Sequence, residues 1–204
     1  MPDEWSQLYD GEYSEVALPK GDWLVDRRAL AELAVRELKI SSEDRVLDLG
    51  CDDGFMLKLV SRVAQNIVGV DVNAEAISAG ADQRLHVMDA TGLAFADASF
   101  DKLYSSHTIE HIPELGAAFR EAARVLRSGG EALFIYPWEL FRGMAAMRSA
   151  MKLTGNPFRG RDFHLRRLTP ARLRTYWEGL PFEHAGSKLV FLRTPQWVTH
   201  LRRQ

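Results

Sequence analysis

Residues 45–54 read Arg45-Val-Leu-Asp-Leu-Gly-Cys-Asp-Asp-Gly54. Arg45 to Leu49 has the composition of a short buried strand, Gly50 to Gly54 that of a turn, and Phe55 to Ala64 that of the helix it feeds. Gly50 permits a tight turn with close backbone approach, and Gly54 permits close packing at the helix start. Asn66 to Asp71 is a second strand. Its terminal carboxylate falls about twenty residues after the turn, where an acid can accept both hydroxyls of a ribose.

The same alternation continues outward. Before the turn, Leu30, Leu33, Ala34 and Leu38 recur at helical spacing within Arg27 to Lys39. After it, Asn73 can cap a short helix through Ser78, Arg84 to Met88 is a third strand and Phe100 to Ser106 a fourth. Pro113 suits the first turn of a helix to Leu126, which Ser128-Gly-Gly130 closes before the apolar strand Ala132 to Tyr136. Strands interleaved with helices of this length require right-handed crossovers, hence an α/β, doubly wound, parallel sheet with helices on both faces. Beyond Tyr136 the pattern predicts an amphipathic helix over Glu139 to Leu153 and a Gly/Pro/Arg loop from Gly155 through Arg161. A helix from Thr169-Pro170 to about Gly179 follows, then an antiparallel hairpin of Phe182 to Ala185 with Leu189 to Arg193. The basic tail from Pro195 is expected to fray.

The chain has 204 residues, 46% hydrophobic and 26% charged, enough for one sizeable core and one domain. A formal charge of −2 argues against a nucleic-acid partner, which wants a strongly basic face. The single cysteine, Cys51, excludes an intramolecular disulfide and suits a reducing, cytoplasmic setting. The acidic start, Met1 to Ser14, resembles no signal or transit peptide, and no apolar run approaches the ~20 residues that span a bilayer. The net value conceals segregation: seven acids face one lysine over Met1 to Asp26, and nine basic residues face three acids over Glu139 to Gly179.

The glycine turn and Asp71 would serve a dinucleotide or S-adenosylmethionine, so charge has to decide. A pyrophosphate wants bare backbone amides at the helix start. Asp52 and Asp53 stand there, and like charges ~4 Å apart repel by roughly 4 kcal/mol at an effective dielectric of 20. The acidic turn therefore disfavours an NAD-type oxidoreductase and suits the sulfonium and ammonium of S-adenosylmethionine. A cofactor-binding protein that works through partners without catalysis stays open beside an enzyme.

These residues resemble a class I S-adenosylmethionine-dependent methyltransferase of the small-molecule, type 11 family. Val46-Leu-Asp-Leu-Gly-Cys-Asp-Asp-Gly54 is similar to the family's first motif, Val70-Asp71 to its ribose-binding acid and Met88-Asp89-Ala90 to its adenine-contacting segment. Phe100-Asp101 with Ser105-Ser-His-Thr-Ile-Glu-His-Ile112 resembles its fourth strand and following loop, and Arg124-Val-Leu-Arg-Ser-Gly-Gly130 the turn before its fifth strand. The likeness is strong over residues 40–137 and weak at Leu168-Thr-Pro170. It implies a mostly parallel seven-stranded sheet with a small helical lid, S-adenosylmethionine as cofactor and S-adenosylhomocysteine as product. Asp48 and Gly50 would then hold the methionine end, Asp71 the ribose hydroxyls, and Asp89 with Ala90 the adenine, with Cys51, Asp52, Gly54 and Val72 among the cofactor-binding residues. Ser106 and His107 would face the methyl group or the cofactor carboxylate. Asp52 stands where the family usually has glycine.

His107-Thr-Ile-Glu-His111 also matches the HxxEH pattern of inverted zinc proteases. That pattern needs one continuous helix, which a preceding strand and Pro113 exclude, so no metal is expected; His111 and Glu110 are read as loop-orienting groups. Methyl transfer needs alignment more than proton transfer. For a hydroxyl or phenol acceptor His107 is the first choice of base and His164 the second, although a solvated surface position suits His164 better. The acidic arm, residues 1–26, precedes a cofactor-binding core of 27–137, a lid of 138–180 and a closing hairpin with its tail, 181–204. Within the lid, Leu140, Met144, Met147 and Met151 would form an apolar wall and the arginines, Arg159, Arg161, Arg166 and Arg167 among them, would receive an anionic group. The acceptor expected is a small, amphiphilic or anionic molecule. The same basic Met-rich helix suits peripheral contact with an anionic membrane. The pattern does not set the oligomeric state.

Overall fold

The computed structural model of the chain describes residues 23–204. The acidic arm read over 1–26 lies outside them up to residue 22. In order, the chain forms α1 (Trp23–Leu38), β1 (Val46–Leu49), α2 (Phe55–Val60), β2 (Ile67–Asp71), α3 (Ala74–Gly80), β3 (Leu85–Val87), β4 (Phe100–Ser106), α4 (Leu115–Val125) and β5 (Leu126–Pro137). Then come α5 (Met147–Thr154), a 3-10 turn (Pro157–Arg159), α6 (Gly160–Phe163), α7 (Pro170–Trp177), β6 (Phe182–Phe191) and β7 (Pro195–Arg203). The strands make one seven-stranded sheet in the order β3-β2-β1-β4-β5-β7-β6. β1 to β5 run parallel, and β7 pairs antiparallel with both its neighbours.

The period of two along each strand divides the core between the two sheet faces. Leu47, Leu49, Leu103, Phe134 and Leu201 face α4 and α7, through Leu115, Phe119, Leu173 and Trp177. Val46, Tyr104, Leu133 and Ile135 face the opposite way, onto Leu30, Leu33, Ala34 and Leu38 of α1 and Met56, Leu57 and Val60 of α2. Both faces being covered explains why β1 is apolar almost throughout. The chain turns away in opposite directions after β1 and after β4, and such a switch in strand order opens a crevice beyond the strands' carboxyl ends.

The carboxyl-terminal third differs from the sequence pattern. β6 is one strand, with a bulge between His184 and Gly186 where the pattern shows a turn. The residues expected to fray form β7, inserted between β5 and β6, with Val198 and Leu201 buried. Basic residues around a half-apolar alternation hid that strand. β5 begins at Leu126, so the Ser128-Gly-Gly130 segment bulges out of it instead of preceding it. The helix expected over Glu139 to Leu153 is confined to Met147–Thr154. Glu139 accepts a hydrogen bond from the Ala145 amide (2.9 Å), and Gly143, at φ +84°, presses so close to α6 that a Cβ there would lie 2.2 Å from the Arg161 amide. Leu140 and Met151, assigned to an apolar wall, are 64% and 53% exposed.

Candidate functional site

The turn after β1 is built against β2. The amides of Gly50 and Cys51 both donate to Val70 O (2.8 and 3.0 Å), and the Asp52 amide donates to Asp71 Oδ2 (2.9 Å). Asp71 Oδ1 accepts from the Asn73 amide (2.9 Å), and Asn73 in turn caps α3 through the amides of Glu75 and Ala76. The acid is thereby held at the strand end. Gly50 has φ +82°, and a Cβ there would lie 2.0 Å from Thr108 Oγ1, so only glycine lets the loop after β4 close over the turn. Asp52 also takes a positive φ, +51°, a conformation that aspartate tolerates better than most residues.

The other expected cofactor residues are placed unequally. Gly54 starts α2 against Leu85. Cys51 is buried, and burial pushes its thiol up, which makes it inert. Asp48 lies beneath the turn, 2% exposed, and accepts from Tyr104 Oη at 2.8 Å. Val72 is exposed beyond β2. The Met88 amide donates to Asp71 O (3.0 Å), which carries Asp89 and Ala90 to the same edge, and Asp89 closes its own turn with Thr91. Ser106 ends β4, and its carbonyl accepts from Thr108 Oγ1 (3.2 Å).

Comparison with known proteins agrees with this frame. A model of the type 11 Methyltransferase domain matches residues 47–134. The phosphatidylethanolamine N-methyltransferase of Cereibacter sphaeroides is 30% identical over 162 residues, 73% of this chain and 78% of that one. The chain belongs to the class I S-adenosylmethionine-dependent methyltransferases. The 27-O-demethylrifamycin SV methyltransferase of Amycolatopsis mediterranei is 30% identical over 63% of this chain, which spans only about half (53%) of that relative's length. Among solved structures, the [4+2]-cyclase SpnF shares the fold with a TM-score of 0.70 at 18% identity, covering 86% of this chain and 81% of that one.

The donor set of this methyltransferase-family chain fits that cofactor. Burial raises Asp48 to about 7 against the opposing Tyr104 hydroxyl, and Asp52 to about 6 against the opposing Arg27. Burial raises Asp71 too, although three backbone amides favour its anion. Carboxylates strained in this way are relieved by a cationic ligand. Sequence reading missed Arg27, which stacks 4.8 Å over the Phe55 ring and pairs with Asp52 (3.5 Å) and Asp53. The turn is thus less acidic than its sequence, since one guanidinium faces both Asp52 and Asp53. Asp53 Oδ1 also accepts from the Phe55 amide (3.0 Å).

The histidines form a second cluster beside the turn. His107, at φ +54° directly after β4, has Nε2 3.0 Å from Gln196 Oε1 of β7 and Nδ1 3.5 Å from Glu110 Oε1. His164 is not on the surface: it is 4% exposed, and its Nδ1 lies 2.8 Å from Glu139 Oε1. His111 Nδ1 lies 2.7 Å from Phe163 O, and the His111 and His164 rings meet edge-on at 4.9 Å. Both base candidates therefore converge on Glu110. Residues 107–111 form no helix, as the sequence pattern requires. Two of the arginines expected to receive an anion serve the main chain instead. Arg166 donates to the carbonyls of Ile112 and Pro113, and Arg167 to that of Leu140 (2.6 Å). Arg142, which also donates to Leu165 O (3.2 Å), and Arg161 line a cleft of about 250 Å³ with Phe141, Met147 and Phe158.

Proposed function

We propose that the chain transfers a methyl group from S-adenosylmethionine to a small amphiphilic acceptor bearing an anionic group. The observation that carries this reading is the convergence, at the carboxyl ends of β1, β2 and β4, of the Gly50 turn, Asp71 and the loop carrying His107. When bound, the cofactor supplies an activated methyl on a sulfonium. Asp71 would bind the ribose, Asp89 and Ala90 would lie along the adenine, and the backbone of Gly50 to Gly54 would cradle the methionine end. Asp48 acts from below, where its carboxyl accepts from Tyr104 Oη and ties β1 to β4 under the turn. With Nε2 donating to Gln196 Oε1, His107 would take the proton from a hydroxyl or phenol acceptor on Nδ1 as the acceptor oxygen attacks, and Glu110, 3.5 Å from that nitrogen, would stabilise the imidazolium formed. The buried His164 would act on the loop geometry.

Residues 138–180 serve in this reading as the acceptor lid. Arg142 and Arg161 supply positive charge beside Phe141 and Phe158, a combination suited to a molecule with an apolar body and a carboxylate or phosphate. The substrate named for one relative, phosphatidylethanolamine, is amphiphilic in the same sense. Exposed Leu140, Phe141, Met151 and Phe158 also suit contact with a membrane surface where such acceptors reside. Among the described residues no helix is long and apolar enough to cross a membrane. The buried lone cysteine accords with a cytoplasmic setting.

The test supplies methyl-labelled S-adenosylmethionine with fractionated polar and lipid extracts to the wild type and to Asp71→Ala. Label in an organic acid or phosphate product, absent with the variant, is the expected result. Intact S-adenosylhomocysteine binding with no labelled product in any fraction would overturn the enzyme reading in favour of a cofactor-binding protein. Binding of NAD alone would overturn both.

A further inference from the structure

Glu110 is 1% exposed, and neither of its carboxylate oxygens has a hydrogen-bond partner; the nearest ring nitrogen, Nδ1 of His107, lies 3.5 Å from Oε1 and is a lone pair in the neutral ring whose Nε2 donates to Gln196 Oε1. A buried carboxylate is ordinarily hydrogen-bonded or paired with a cation. Its neighbours do not supply donors in the usual way. The Phe163 carbonyl can only accept, so His111 must carry its proton on Nδ1; in the neutral ring Nε2 is then a lone pair, and it lies 3.8 Å from Glu110 Oε1. Glu139 likewise claims Nδ1 of His164, leaving Nε2 as the ring's acceptor. One ligand-capable atom from each of Glu110, His111 and His164 lies within 4.8 Å of the other two. Acceptors gathered in this way around a buried carboxylate call for a cation between them.

We propose that Glu110, His111 and His164 bind a divalent transition-metal ion that fastens the lid to the cofactor-binding core. Two imidazoles and one carboxylate are a donor set for zinc and its first-row neighbours, whereas magnesium and calcium prefer oxygen alone. The Nδ1 contacts to Glu139 and Phe163 O are the outer partners that fix the ring and tautomer of ligating histidines. Glu110 and His111 belong to the loop after β4, and His164 follows α6, so the ion would tie together segments more than fifty residues apart. The Leu165 amide already donates to Glu110 O (3.1 Å) across the same seam. Bonds of about 2.0–2.1 Å hold tetrahedral ligands ~3.3 Å apart, so binding would draw the three groups together by up to ~1.5 Å. The zinc-protease pattern assigns its ligands to His107 and His111 on one helix. Here the ligands come from two segments, and His107, with Nδ1 3.5 Å from Glu110 Oε1 and Nε2 on Gln196, lies beside the three-residue group.

The test uses the full chain stripped by chelator and given zinc(II), cobalt(II), manganese(II) or magnesium(II) separately, with no methyl donor present. One equivalent of zinc or cobalt is expected to bind, cobalt with visible d–d absorption, and to raise the unfolding midpoint by roughly 5–10 °C at one hundred times the dissociation constant. Glu110→Gln and His164→Asn should abolish both signals, and Glu139→Gln should weaken affinity about 10–100-fold. Should these variants fail to fold, the cobalt spectrum and chelator sensitivity of the wild type still decide. No cobalt absorption and no midpoint rise with any ion would overturn the proposal, as would unchanged binding in folded His164→Asn or stabilisation by magnesium alone.

Discussion

Replacing Tyr104 by phenylalanine removes a single oxygen from a fully buried pair and leaves the ring packing in place. Its hydroxyl donates to Asp48 at 2.8 Å, and the two residues face each other across β1 and β4. Burial lifts Asp48 from the ordinary carboxylate range to about 7. The folded pKa lies above the unfolded one, so the native state keeps a proton that the unfolded chain has released between pH ~4 and ~7. Stability from this group is therefore full below ~4 and lost as pH rises toward 7. The loss reaches about 4 kcal/mol for a shift of ~3 units at 1.36 kcal/mol each. The Tyr104 hydroxyl limits that loss. A hydrogen bond to an ionised group contributes ~1.5–3 kcal/mol and one to a neutral group ~1. Tyr104→Phe should thus cost ~1 kcal/mol at pH 5 and ~1.5–3 kcal/mol at pH 8.5, where the midpoint falls by about 3–12 °C for a domain of this size. Urea unfolding of both proteins across this range measures the difference, in which all other titrating groups cancel. An equal loss at both pH values would refute the reasoning, because Asp48 would then not change charge in that window.

Gly50→Ala should cost several kcal/mol and most S-adenosylhomocysteine binding, since its Cβ meets Thr108 at φ +82°. Adding Thr108→Ala should restore part of the stability but leave the ~1–3 kcal/mol of backbone strain, as read by urea unfolding. Arg27→Met removes the cation beside Asp52 and Asp53; we expect a loss of ~1–2 kcal/mol at pH 8 that shrinks toward pH 5 as Asp52 protonates, the Asp53 pair supplying what is left, and a pH-independent loss would count against the pairing with Asp52. Leu201→Ala should cost ~2–5 kcal/mol in thermal or urea unfolding, whereas a frayed tail would cost almost nothing.

The cofactor half of the molecule is legible because its determinants are local. A buried strand, a glycine turn and an acid at the next strand's end lie within residues 45–71, and the strand period and turn chemistry place them without distant information. Asp52 and Asp53 were visible in the same way. Their charge balance was not, because Arg27 lies some twenty-five residues away and is brought over the turn only by the packing of α1 on α2. Gly143 gave no sign of its role, since the backbone it admits belongs to Gly160 and Arg161.

Sequence by itself determined the alternation of strands and helices, the glycine turn and the carboxylate that meets it, since period and φ preference act over a few residues. Only the tertiary structure decided that residues 195–203 form an interior strand and that Glu139, His164 and Glu110 meet in a buried cluster. Burial and pairing between segments 25 to 90 residues apart depend on how the sheet and its covering helices close. A basic tail or a lone histidine carries no local mark of that.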